Sequence, residues 1–70
     1  MTIFINDVAT EIPNTTHTLT DVLRNILNIS KDKKGIAIAV NEEVIPKNQW
    51  DQFTIKENDR LLVIIAAQGG

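Results

Sequence analysis

The run Leu61–Ala67, LLVIIAA, places seven apolar residues in succession near the end of a chain of only 70. A helix or strand with one wet face alternates or recurs with a period, so an unbroken apolar run bounded by Arg60 before it marks a strand in the middle of a sheet, with both faces covered. The rest of the chain must supply that sheet and its cover. At this length there is room for one domain, which has to stabilise itself by packing, because cysteine is absent and no disulfide or thiolate metal site can staple it. Hydrophobic residues at 43% and charged residues at 23% suit an ordinary globular core rather than a disordered chain.

The partner strands follow from periodicity. In TIFIN, Ile3 and Ile5 share one face while Thr2, Phe4 and Asn6 share the other, and Asn6-Asp7 is the expected two-residue turn into a returning strand, Val8 to Ile12. Pro13 closes that strand, and NTTH supplies turn formers. Leu19, Val22, Leu23, Ile26 and Leu27 then form the stripe of a helix with one buried face, with Thr18 as N-cap and Asp21 three residues on. SKDKKG is expected to end this helix, and IAIAV to form a strand with two unlike faces. Asn41 to Glu43 make a polar turn, VIP a short edge strand ending at Pro46, and KNQWDQFTIKEND a long connection with a helical turn.

The order β-β-α-β-β-β predicts an α+β fold in which one helix packs on one face of a mixed sheet of four to five strands. If the last strand lies parallel to the first at the centre, the architecture is a β-grasp, the ubiquitin-like fold. Residues 1–70 are then a single domain, with 67–70 a flexible C-terminal tail.

One helix covers one face of a sheet. With Ile3, Ile5, Leu61, Val63 and Ile65 under the helix, the other face presents Phe4, Ala37, Ala39, Leu62, Ile64 and Ala66. The KNQWDQF connection folds across this second apolar surface, or the surface is the exposed apolar area that every protein carries, or it is a docking patch for a partner.

The chain closes on Gly69 and Gly70, and glycine at about 7% of residues puts two there by chance in roughly 0.5% of chains. Without Cβ atoms, these residues can thread a channel too narrow for side chains and bring the terminal carboxylate to a reactive centre in another protein, Gln68 belonging to the same threading tail. A carboxylate becomes an acyl donor once coupled to AMP, and an acyl adenylate yields to a sulfur nucleophile. A chain without cysteine carries sulfur most simply as a C-terminal thiocarboxylate.

Other chemistry is poorly supplied. His17 is the only histidine, so a metal cluster or catalytic array cannot be built on it even with Asp7 and Glu11 as oxygen donors, and its expected place is the surface before the helix. Glu42-Glu43 is read as solvated turn charge, and no catalytic residue is assigned. Trp50 is expected to plug the core. Lys31, Lys33 and Lys34 fit a solvated loop or the steering of an acidic partner equally well, and a net charge of −2 argues against nucleic acid as a partner. Asn6, Asp7 and Glu11 interrupt any N-terminal signal segment, and the apolar run is far short of the ~20 residues that span a bilayer, so the expected place is the cytoplasm, with no membrane partner.

The fold order, the AVNEEVIP turn with NQW shortly after it, the ENDRLLVI start of the last strand and the terminal QGG together resemble the ThiS family, sulfur carriers of thiamine biosynthesis. The resemblance covers essentially the whole chain. It implies adenylation at Gly70 by a ThiF-type enzyme using ATP, conversion to the thiocarboxylate, and sulfur donation to thiazole synthase (ThiG). The chain itself would bind no cofactor and act as a substrate rather than an enzyme. Gln68 departs from the small or apolar residues common at that place in the family, which bears on the fit of the tail. Two other readings share the glycine end: a small sulfur-carrier subunit for molybdopterin synthesis, and a non-catalytic ubiquitin-like interaction module.

Overall fold

The structure, a computed structural model, describes residues 1–30 and 32–66. Five strands form one sheet: β1 (Thr2–Ile5), β2 (Val8–Glu11), β3 (Ile36–Val40), β4 (Glu43–Val44) and β5 (Arg60–Ile65), in the spatial order β2-β1-β5-β3-β4. β5 lies at the centre. It runs parallel to β1, with Phe4 beside Arg60 and Ile5 beside Leu61, and antiparallel to β3, with Ile38 beside Val63 and Ala39 beside Leu62. This is the β-grasp arrangement expected from the element order.

Both hairpins turn on two residues in the left-handed region, Asn6-Asp7 (φ 50° and 68°) and Asn41-Glu42 (φ 51° and 74°). That is the backbone of a type I′ turn, whose twist matches the flanking strands and which Asn tolerates better than most residues. The second turn is shorter than expected, so the last edge strand is Glu43–Val44. Ile45 beyond it is buried, and its N–H donates to the Ile38 carbonyl at 2.9 Å.

The helical segment α1 begins as an α turn at Leu19–Asp21 and continues with π winding over Val22–Ile26. Its start is a complete capping box: the Asp21 N–H donates to the Thr18 hydroxyl, and the Asp21 carboxylate accepts from the Thr18 N–H at 3.1 Å. Leu19, Val22 and Leu23 are buried as the stripe requires. Ile26 and Leu27 are only partly buried, because the wider winding, seen in the Leu27 N–H to Val22 carbonyl bond at 3.1 Å, rotates them off a 3.6-residue stripe. The helix also ends before SKDKKG: Asn28 takes the left-handed conformation (φ 56°) that glycine was expected to supply later.

The core lies between α1 and one face of the sheet, and holds Ile3, Ile5, Ile12, Ile38, Val40, Leu61 and Val63 against Leu19, Val22 and Leu23. Trp50 plugs it from the connection, 1% exposed, its indole N–H donating to the Ile45 carbonyl at 2.8 Å. Pro46 starts the 3₁₀ turn Lys47–Gln49 that carries Trp50 round to that position. Two sequence expectations need correction. β5 is central, but only one of its faces is covered. Ile65, expected under the helix, is 48% exposed, because it pairs with half-buried Ile36 at the margin of the core. Among the described residues no helix is long and apolar enough to cross a membrane.

Candidate functional site

Alternation along β5 sends Leu61 and Val63 into the core and leaves Leu62 (50% exposed) and Ile64 (54% exposed) on the opposite face. Side chains directly paired across strands share a face, so the register extends this row. Leu62 neighbours Ala39, Ala39 neighbours Val44, and Ile64 neighbours Ala37. Phe4, half-buried, adjoins it from β1 beside Arg60, and Ala66 follows at the end of β5. The structure therefore brings all six residues of the expected patch, Phe4, Ala37, Ala39, Leu62, Ile64 and Ala66, onto one open sheet face.

The KNQWDQF connection does not cover that face. It packs around the start of α1 instead: the Leu19 N–H donates to the Phe53 carbonyl at 3.2 Å, and the Ile55 N–H to the His17 carbonyl at 2.8 Å. Val44, 70% exposed, and Ala9, opposite Phe4, also belong to the open face and were missed from the sequence. Their places depend on where the two turns set the register.

The start of β5 is fixed from both sides by asparagine side chains, which sequence reading treated only as turn formers. Asn41 accepts from the Arg60 N–H through Oδ1 at 3.0 Å, and its Nδ2 donates to the buried Asp59 carboxylate at 3.1 Å. Asp59 also accepts from the Lys56 N–H at 2.8 Å, closing the turn before β5. Across the strand, Asn6 contacts Val63 through both atoms of its carboxamide. The AVNEE and ENDRLL segments of the sequence thus meet physically. The signal that could have revealed this was an Asn at each hairpin turn, where its backbone tolerance and its amide are both used.

Few groups here are tuned for acid–base chemistry. The N-terminal ammonium, 2.9 Å from Glu11, and the Thr2 hydroxyl hold the Glu11 carboxyl below its ordinary range. The Asp21 carboxyl is likewise lowered, first by the hydrogen bond from the His17 N–H at 3.0 Å and also by those of the capping box. Both serve the backbone. His17 is exposed on the approach to α1, Glu42 and Glu43 are exposed in their hairpin, and Lys33 and Lys34 are exposed in the loop before β3. Among the described residues no group of three His, Cys, Asp or Glu side chains is placed to hold a metal ion. The cleft lined by Asn6, Asp7, Asn41, Glu42, Arg60 and Leu61 lies at the turn end of the sheet and reaches onto the open face through Ala39 and Leu62. The positions expected to carry chemistry or thread a channel, Gln68, Gly69 and Gly70, lie outside the described residues, as does Lys31.

Comparison with known proteins bears on the whole arrangement. The model of the ThiS family matches residues 3–70. The sulfur carrier protein ThiS of Escherichia coli (strain K12) is 29% identical over 72 aligned positions that take in the full length of both chains. Two solved structures of a thiamine biosynthesis protein from Geobacter metallireducens share the fold. The crystal structure superposes with a TM-score of 0.79 at 20% identity over all of both chains. The solution structure gives 0.78 at 20% identity, over all of this chain and 88% of the other.

Proposed function

The chain belongs to the ThiS family, and from that premise we propose how it works as a sulfur carrier of thiamine biosynthesis, with Gly70 as its working end. It is a carrier and not a catalyst, and the family role implies two encounters, one with an activating enzyme and one with a sulfur acceptor. In the first, the Gly70 carboxylate attacks the α-phosphorus of ATP on a ThiF-type enzyme. Pyrophosphate leaves and an acyl–AMP anhydride forms. A sulfide-equivalent nucleophile then adds to the acyl carbon and expels AMP, so the chain ends in a thiocarboxylate. In the second encounter, thiazole synthase (ThiG) takes that sulfur for the thiazole ring.

The observation that carries this reading is the family match across residues 3–70, which takes in Gly69 and Gly70. The fold supports it physically. On this reading the chemistry belongs to the main-chain carboxylate, and Gly69 and Gly70 leave that end slender enough to enter a partner's channel. The open face of Phe4, Ala37, Ala39, Leu62, Ile64 and Ala66 gives a partner apolar area to hold beside the end of β5. No bound cofactor is required of the carrier, since ATP is used in the activating enzyme.

Incubation with a ThiF-type enzyme, ATP and a sulfur donor should raise the intact mass by the difference between one sulfur and one oxygen. Deleting Gly70 should abolish the gain without shifting the melting temperature. A full-length chain left unmodified, under conditions that thiolate an established carrier, would refute the reading.

A further inference from the structure

β1 stops short of its neighbour. Its parallel register with β5 ends at Ile5 beside Leu61, and the Asn6 N–H makes one more bond, to the Leu61 carbonyl at 2.9 Å, before the chain turns away. β5 continues for four residues beyond Leu61, to Ile65. The next backbone groups on that side of β5 belong to Val63, and a longer β1 would have paired with them.

The Asn6 side chain takes that place. Its Oδ1 accepts from the Val63 N–H at 2.7 Å, and its Nδ2 donates to the Val63 carbonyl at 3.2 Å. A carboxamide carries a donor and an acceptor side by side, as a peptide group does; an ionised carboxylate offers only acceptors. Asn6 also sits at φ 50°, a conformation that Asn and Gly accept and most residues resist.

We propose that Asn6 is a positioning residue for sulfur loading, its carboxamide standing in for a continued β1 and holding the β1-side edge of the second half of β5, whose other edge is paired with β3. That half carries Leu62, Ile64 and Ala66 on the open face and leads in sequence directly to residues 67–70. With Val63 held, the partner meets an ordered strand at the point where the chain end must be directed into its active site. β3 pairs with this half along its other edge as far as Ile65, so releasing Val63 frees the β1-side edge alone; fixing that edge is then done during binding, and its entropic cost falls on association rather than on the chemical step. This proposal rests on the carrier reading.

The test uses the full-length chain and two variants. Asn6→Gly keeps the left-handed turn and removes the clamp. Asn6→Asp keeps the shape and the acceptor but sets a carboxylate against the Val63 carbonyl. Hydrogen exchange at the Val63 amide should quicken roughly tenfold in Asn6→Gly, from loss of the one bond that its N–H donates to Asn6 Oδ1. In adenylation by a ThiF-type enzyme, the KM for the carrier should rise about five- to tenfold in both variants, with kcat within about twofold of the parent. A purely structural role would lower the melting temperature and leave KM unchanged well below it. Unchanged KM in Asn6→Gly with an adenylated parent overturns the proposal alone, as does unchanged Val63 exchange. A parent chain that is never adenylated overturns the carrier reading and this proposal with it.

Discussion

Converting Leu62 and Ile64 to threonine tests whether the open sheet face is what a partner grips. Threonine has the β-branched stiffness that strands favour, so both substitutions remove apolar area with little effect on the strand itself. Leu62 is 50% and Ile64 54% exposed, so about half of each side chain is still available for burial against a partner. Full burial of such a side chain yields about 2 kcal/mol, so the remaining half yields about 1 kcal/mol each and about 2 kcal/mol for the pair. That corresponds to binding weakened about thirtyfold. Because neither side chain faces the core, the free carrier should lose no more than about 0.5 kcal/mol per substitution. Calorimetric titration of Leu62→Thr/Ile64→Thr against a ThiF-type enzyme, beside thermal melts of the free chain, reads both quantities. Affinity within twofold of the parent, with an unchanged melt, would show that the face is not gripped. A melt depressed as far as that of a core variant would show that the two side chains hold the fold.

Three further predictions concern the scaffold. The Thr16 hydroxyl is buried, 1% exposed, with no hydrogen-bond partner among the described residues, so Thr16→Val should stabilise the chain by about 1 kcal/mol and raise the melting temperature by several degrees; a drop would mean that the hydroxyl is satisfied in solution. Trp50→Phe loses both the bond to the Ile45 carbonyl and indole volume in the core, and should cost about 2–3 kcal/mol in urea unfolding; a loss under about 1 kcal/mol would contradict the packing. The folded Asp21 carboxyl titrates below its ordinary value of 3.8, so between the two values the unfolded chain binds more protons; the stabilisation is complete above 3.8 and is lost as pH falls through the folded value, and Asp21→Asn should flatten that acid limb in urea titrations, an unaltered limb refuting the assignment.

Local chemistry made much of this structure readable in advance. The alternation of TIFI and IAIAV, the left-handed tolerance of Asn6-Asp7, the Thr18–Asp21 pair and the placement of Trp50 are each decided within a few residues, and each stands as read. What escaped depends on contacts made at a distance. Asn6 bonds to a residue 57 positions away and Asn41 to one 18 away, and neither partner can be chosen before the sheet order is known. Val44 joined the open face only because the Asn41–Glu42 turn set it opposite Ala39. The π winding of α1 also lay beyond the pattern, since a 3.6-residue stripe fits the same apolar spacing; carbonyl choice within the segment, and Asn28 at its end, decided it. Gly69 and Gly70, the residues on which the functional reading turns, were conspicuous in the sequence alone.

An exposed apolar face on so small a protein invites self-association unless the edges of the sheet discourage it. Here both edge strands are short, four residues in β2 and two in β4, and each bears an exposed glutamate, Glu11 or Glu43. Edges this short offer another copy few backbone groups to pair with, whatever charge they carry. Leu62 and Ile64 lie on the central strand, so another molecule reaches them from above the sheet, while the more exposed Val44 (70%) and Val8 (63%) lie on the short edge strands. On the docking reading proposed above, this arrangement favours partners that present a matching apolar surface face-on. A carrier that must leave one enzyme for another gains from this arrangement: a face-on contact of a few side chains releases readily, whereas a strand added to the sheet would have to break a ladder of backbone hydrogen bonds at every handover.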